Sequence, residues 1–412
     1  MHSVVPMSAD CWYLTGPTAS GKTVVGVALA RLIGAEIVSM DSMALYRGMD
    51  IGTAKPSPQQ RAAVPHHLVD VLEPHQQFSL ASYLAAADRA AEDIRNRGKQ
   101  VLFVGGTPLY LKGLLRGIFH GPPADWQFRK RLQAEAARQP PGWLHQQLAR
   151  VDPQAAARLH PNDTRRLIRA LEVFTKTGTP ISQLQQQFDK GAPADQRRVF
   201  VLDWPRDELY RRIEQRVDQM FAAGLVEEVQ RLLGQVPPDQ ALPPDDSAEL
   251  PAGEPPELRA DDSPELYVDE SPALLADESS APRPDKSLAL LPDESSLPRP
   301  GESPALLPDE SLASDGQCCA GRLPAGGKEL PQRVFSRTAL QAVGYREVIE
   351  YLQGRRDLAS TIALVKQRSR QLAKRQITWF RSLSECRFVP MSAQEDAERV
   401  AQAIAIAGQQ CQ

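Results

Sequence analysis

The sequence predicts an α/β fold: a parallel sheet flanked by helices, interrupted by one helical and one acidic insertion. Three observations predict it. The octapeptide Gly16-Pro17-Thr18-Ala19-Ser20-Gly21-Lys22-Thr23 sits between a short apolar run and a helical pattern. Short apolar runs alternate with long amphipathic stretches on its C-terminal side, which is the rhythm of parallel strands joined by helices. The composition, 42% hydrophobic and 24% charged over 412 residues, is enough to bury a real core.

The elements follow in order. Cys11 to Leu14 reads as a first strand and Lys22 to Ile33 as a helix. Strand, glycine-rich turn and helix in that order make a P-loop: glycines supply positive φ, successive N–H groups converge on phosphate oxygens, Lys22 adds a point charge and the Thr23 hydroxyl can ligate Mg²⁺. The loop therefore suits a polyphosphate or pyrophosphate. Strands at Glu36 to Met40 and Val101 to Val104, with a helix at Leu80 to Asn96, complete a first α/β region, taken as residues 1–115. Asp125 to Lys176 is purely helical, broken at Pro140-Pro141-Gly142 and Asp152-Pro153, and is read as an inserted subdomain within 116–196. A strand at Arg198 to Leu202 and a helix from Arg206 to Leu233 return to the core over 197–236. Thr338 to Ser382 is helical again, ending near Phe388, so 332–390 forms a C-terminal helical part and 391–412 a tail.

Between them lies Pro237 to Pro331. It holds 18 of the 35 prolines, 21 Asp+Glu and 6 Lys+Arg, a net charge of −15. Similar units begin at Ser271, Ser287 and Ser303, a period of sixteen residues. Proline at this density breaks helix and ladder alike, and so few apolar residues per unit cannot offset the ordering entropy, so a disordered insertion is expected. Set against the whole-chain totals of 51 acidic and 48 basic residues, the remainder carries 30 and 42, a net of +12. That basic body suits a polyanionic partner such as nucleic acid.

No apolar run approaches the roughly eighteen residues of a membrane span, and Met1 to Asp10 has no secretory pattern, so a cytoplasmic protein without a membrane role is expected. The cysteines Cys11, Cys318, Cys319, Cys386 and Cys411 show no metal or disulfide spacing and read as free thiols.

Loops after parallel strands gather at the carboxyl edge of the sheet, beside the P-loop. Asp41, after the second strand, can ligate Mg²⁺ as in nucleotide kinases, act as a general base, or simply cap a helix. After Val101 to Val104, where an ATPase would carry an acid, come Gly105, Gly106 and Thr107; this weakens an ATPase reading and offers a hydroxyl to a leaving group. Arg212 and Arg216 share a helix face and can neutralise a departing pyrophosphate, though either can instead pair with Glu208 or Glu214. Arg165, Arg166 and Arg169 lie largely off the apolar stripe of their helix, where they can grip phosphates or, for Arg169, pair with Glu172. Lys366 to Arg381 interleaves six basic residues with Trp379 and Phe380, suiting stacked bases and a tracked backbone.

Seven ordered blocks now resemble one family: GPTASGKT, DSMALYRGMDIGTAKP from Asp41, PHHLVD from Pro65, GGTPLY from Gly105, NDTRRLIRALEV from Asn162, QAVGYRE from Gln341 and RQLAKRQITWFR from Arg370. Together they resemble the bacterial tRNA dimethylallyltransferases, over nearly all of the chain outside the acidic insertion. The resemblance implies transfer of a dimethylallyl group from dimethylallyl diphosphate to N6 of the adenosine 3′ of the anticodon, releasing diphosphate. It implies that Gly16, Thr18, Ala19, Ser20, Gly21, Lys22 and Thr23 hold diphosphate, with Mg²⁺ on Thr23, that Asp41 accepts the N6 proton, and that Thr107 and Arg216 assist the leaving group. Residues matching the family's tRNA contacts are Asp41, Ser42, Met43, Ala44, Arg129, Arg165, Arg166, Leu167, Ile168, Arg169, Gln341, Gly344, Tyr345, Arg346, Lys374, Arg375, Gln376, Trp379 and Arg381. The target adenine must be flipped into its pocket. No zinc-finger pattern follows Phe388, which points to the bacterial type, expected to act on the anticodon stem-loop as a monomer. A P-loop nucleotide or small-molecule kinase is the alternative enzyme.

Overall fold

The computed structural model describes residues 10–119, 121–185, 191–234 and 334–411. The expected disordered insertion, Pro237 to Pro331, lies outside the described residues. The strands are β1 (Trp12–Thr15), β2 (Ala35–Ser39), β3 (His66–His67), β4 (Gln100–Val104), β5 (Arg198–Asp203) and β6 (Cys386–Pro390). They form one parallel sheet in the order β3-β2-β4-β1-β5-β6. The helices of the core are α1 (Lys22–Ile33), α2 (Pro58–Ala63), α3 (Leu80–Asn96) and α4 (Pro108–Arg116). The inserted helices are α5 (Trp126–Ala136), α6 (Trp143–Val151), α7 (Pro153–Arg158), α8 (Thr164–Thr177) and α9 (Ile181–Leu184). The chain closes with α10 (Arg206–Ala222), α11 (Leu225–Gly234), α12 (Tyr345–Leu352), α13 (Leu358–Arg381) and α14 (Ala397–Gln409).

The central strands are apolar on both sides because both faces of the sheet are covered. Alternation sends Tyr13, Val38 and Phe103 into one core with Leu84, Leu111 and Phe380. Trp12, Leu14, Ile37 and Leu102 enter the other, with Leu29, Ile213 and Ile404. Helices α5–α9 build a separate core from Leu144, Leu148, Leu167, Leu171 and Val173. Asp125, Asp152 and Asp163 each accept a backbone N–H at a helix N-terminus there.

Three expectations are corrected. The helical reading running towards Phe388 missed β6, which pairs in parallel with β5 from Val199–Cys386 to Asp203–Pro390. The tail at 391–412 contains α14, which packs on α1, and Gly408 lies against the Trp12 ring. The helix from Arg206 to Leu233 is two, divided at Gly224, whose φ of 96° is left-handed.

Candidate active site

Adjacent strands β1, β2 and β4 bring three loops to one edge. Met40 N–H donates to the Val104 carbonyl (2.8 Å), Gly105 N–H to that of Leu14 (3.2 Å) and Thr107 N–H to that of Met40 (3.2 Å). The loops after β1, β2 and β4 are thus laced together by backbone hydrogen bonds before any ligand arrives.

The P-loop wraps the N-terminus of α1. Gly21 holds φ of 87° there, and no side chain caps the helix, so its first N–H groups face the loop interior. Lys22 folds back, donating from Nζ to the Pro17 carbonyl at 2.7 Å. Burial pushes its ammonium down to about 7, against the attraction of Asp41 and with repulsion from Arg216. A cation held that dry gains from an anion arriving beside it.

The two arginines of α10 separate by role. Arg216 donates from Nη1 to the Thr18 hydroxyl (3.1 Å) and from Nη2 to the Thr53 carbonyl (3.4 Å). Its burial lowers its basicity, and the charge of Asp41 opposes that shift. Arg212 instead braces the loop from behind: it donates to the Ala19 carbonyl (3.0 Å) and lies 4.2 Å over the Trp204 ring, while Trp204 donates to the Ser20 carbonyl (2.9 Å). Arg216, not Arg212, is the cation set between the loop and Asp41.

Asp41 accepts from Met43 N–H at 2.9 Å, and the Thr107 hydroxyl accepts from Ser42 N–H at 3.1 Å. Asp41, Thr107, Lys22 and Arg216 therefore converge. At Gly105 a side chain is sterically barred, because a Cβ would lie 2.0 Å from the Met40 carbonyl oxygen. The strand-end acid of an ATPase has no room on this backbone. Beside Thr107 a cleft opens between α4 and α13, lined by Pro108, Leu109, Leu372, Arg375, Gln376 and Trp379.

Of the residues matched to RNA contacts, Gln341, Arg346, Lys374 and Arg381 are exposed, and Arg375 and Trp379 edge the cleft. Arg165 is exposed and Arg166 pairs with Asp163 at 3.2 Å. Asp41, Ser42 and Met43 are half-buried at the loop mouth. Several others are buried or engaged within the protein. Leu167 and Ile168 are buried in the helical core and present no side chain outward. Arg129 and Arg169 both grip the buried Glu172, Arg129 at 2.8 Å, and so hold α5 to α8. Ala44 and Gly344 are buried; Tyr345 is fully buried and donates to Glu228 at 2.7 Å. Gln376 is buried and turns towards the P-loop.

Glu228 was not foreseen. Its carboxylate accepts from the N–H groups of Asp50 (3.0 Å), Ile51 (2.8 Å) and Gly52 (3.3 Å), fixing the loop whose Thr53 carbonyl receives Arg216. Nothing in the local sequence of α11 marks it, since its partners lie far away along the chain.

Fold and site together define a P-loop-like α/β protein with Lys22 near the Asp41 carboxylate and no room for a side chain at Gly105. The IPP transferase family model matches residues 44–249 and 323–383. A tRNA dimethylallyltransferase of Pelotomaculum thermopropionicum is 36% identical over 395 residues, 95% of this chain and 94% of that one. Another, from Rhodopirellula baltica, is 49% identical over 236 residues, covering 55% of this chain and 71% of the relative. The crystal structure of the full-length tRNA isopentenylpyrophosphate transferase of Bacillus halodurans superposes with a TM-score of 0.54 at 27% identity, covering 98% and 97% of the two chains. The chain belongs to the IPP transferase family, and it is an enzyme of tRNA modification rather than a kinase.

Proposed function

We propose that the enzyme moves a dimethylallyl group from dimethylallyl diphosphate to N6 of the adenosine 3′-adjacent to the anticodon of tRNA, releasing diphosphate. The observation that carries this reading is the convergence of Asp41 with Lys22, Arg216 and Thr107 on a strand edge closed to an ATPase acid at Gly105.

The chemistry suits those groups. The lone pair of N6 is delocalised into the ring, so the amine attacks weakly, and the allylic carbon tolerates cationic character. As the C–N bond forms, the C–O bond to diphosphate breaks, its electron pair leaves on oxygen, and the N6 proton passes to Asp41. The half-buried Lys22 and Arg216, with the uncapped α1 N–H groups, meet the charge growing on the leaving oxygens. The Thr107 hydroxyl, already held against Ser42, can donate to the same oxygens. The cleft edged by Trp379 and Leu109 suits an unstacked adenine and an apolar tail.

Mg²⁺ fits these residues. Among the described residues no cluster of three His, Cys, Asp or Glu offers an all-protein cage. Thr23, half-buried in the first turn of α1, supplies one hard oxygen, and Mg²⁺ commonly takes its remaining ligands from phosphate and water. When bound it would further neutralise diphosphate.

Among the described residues no helix is long and apolar enough to cross a membrane. We further propose that the enzyme meets its tRNA in the cytoplasm and acts as a monomer. The test is incubation with Mg²⁺, labelled dimethylallyl diphosphate and unmodified tRNA, followed by digestion. Label on the adenosine 3′ of the anticodon supports the reading; protection by ATP with no transfer of label would replace it with a kinase.

A further inference from the structure

Gln376 lies on α13, between residues that face solvent and residues that anchor the helix. Its neighbours Lys374 and Arg381 are exposed on the basic face, while Ala373 and Phe380 are fully buried in the two cores of the sheet. Gln376 is 8% exposed; it contributes to the wall of the cleft, and its amide is turned to the loops after β1 and β4. Its Oε1 accepts from the Thr18 N–H of the P-loop at 2.9 Å, and its Nε2 donates to the Gly106 carbonyl at 2.7 Å. One amide thus bridges both donor-site loops, and both of its ends are used. Close by are Lys22, whose Nζ lies 3.5 Å from where a Gly106 Cβ would be, and Thr107, the next residue along.

We propose that Gln376 is a positioning residue that couples tRNA on the basic face of α13 to the shape of the diphosphate loop. This rests on the reading of the enzyme as a tRNA dimethylallyltransferase. The physical argument is rigidity. Ala373 and Phe380 hold α13 one turn to either side, so a nucleic acid that settles the helix also settles the amide. The amide then fixes Thr18 against Gly106, and the loop meets diphosphate already shaped. Without RNA the same contact is formed but rests on a helix held less firmly, so a donor arriving alone must itself quench that motion, at a cost in affinity. The glutamine is required for its two-sided polarity: a carboxylate would lose the hydrogen bond to the Gly106 carbonyl and set negative charge beside the diphosphate.

The test is a binding cycle on the full chain, in Mg²⁺ buffer, with inorganic diphosphate and an anticodon stem-loop RNA. In the parent, RNA is expected to tighten diphosphate binding by about fivefold or more. In Gln376→Met, which keeps volume and removes both hydrogen-bonding ends, that factor falls close to unity while the Kd for RNA alone stays put. Lys374→Ala weakens RNA but leaves diphosphate affinity without RNA unaltered. Gln376→Glu guards against a folding defect, because protonation restores its donor: its loss of coupling should be smaller at low pH and grow as pH rises. Coupling that is absent in the parent, or undiminished in Gln376→Met, overturns the inference, as does a loss of RNA affinity with coupling intact. Label transfer by the same parent preparation separates the two claims: transfer with no coupling sinks only this inference, whereas no transfer at all sinks the functional reading.

Discussion

At the scale of single residues, the site sets the half-buried cations Lys22 and Arg216 near the carboxylate of Asp41. Asp41→Ala should lower kcat by about 100-fold to 10,000-fold, the usual contribution of a general base, with RNA affinity nearly unaltered; activity close to the parent would show that another group takes the proton. Lys22 gives a second prediction through pH. Its folded value of about 7 lies below the ordinary 10.5, so the unfolded chain binds the extra proton between those values. Ligand-free stability from this group therefore rises with pH across that window and is flat below it. Diphosphate favours the charged form, so binding at pH 8 should take up a proton once the ligand's own titration is subtracted. Calorimetry in two buffers of different ionisation enthalpy reads this directly, and a buffer-independent enthalpy would refute it. The P-loop and Asp41 were legible in sequence because their chemistry is local. The division between Arg212 and Arg216 was not, since one turn of α10 decides which guanidinium meets Trp204 and which meets Thr18.

At the scale of elements, buried ion pairs and carboxylates set how the helices carry the site. Glu172 is fully buried, bound by Arg129, Arg169 and the Asp125 N–H. Burial alone would raise its carboxyl, but these partners hold it below the usual range. Glu172→Ala should destabilise the inserted helices by about 3–5 kcal/mol by stranding two arginines, measurable as a lowered chemical midpoint. In the core, Tyr345→Phe removes one bond to Glu228 and should cost about 1 kcal/mol, whereas Glu228→Ala, which frees three backbone donors, should cost about 2–4 kcal/mol. If both variants unfold alike, Glu228 does not hold the Asp50–Gly52 loop through these bonds. The helical periodicities of α5–α8 could be read in advance, yet periodicity assigned Leu167 and Ile168 to an apolar stripe without deciding against RNA contact. Packing against Leu144 and Leu148 shows only that their side chains are turned into the helical core.

At the scale of the whole molecule, the acidic stretch interrupts the chain between two helices that are themselves in contact. Helices α11 and α12 pack together, and the Tyr345 to Glu228 bond ties them. Joining the chain across Pro237 to Pro331 shortens the connection from α11 to α12, and for a connection expected to be disordered this changes closure entropy by little. The deletion should preserve thermal stability and label transfer, and should tighten tRNA at low salt by removing a net charge of −15. A collapse of the melting transition would make the stretch structural. A wild-type salt dependence retained in full by the deletion would remove its charge from the account.

The sequence by itself determined the kind of fold, the phosphate loop, the basic body and the family, because each is written in local order: glycine spacing, apolar period, charge count and contiguous motifs. The tertiary structure alone decided what required distant partners. It joined β6 to β5, laid α14 on α1, and closed Gly105 to an acid through the Met40 carbonyl. It also gave Gln376 hydrogen bonds to two loops, after β1 and after β4. Such pairings depend on which strands become neighbours and on which face of a helix is buried, and neither is encoded within any one segment of the chain.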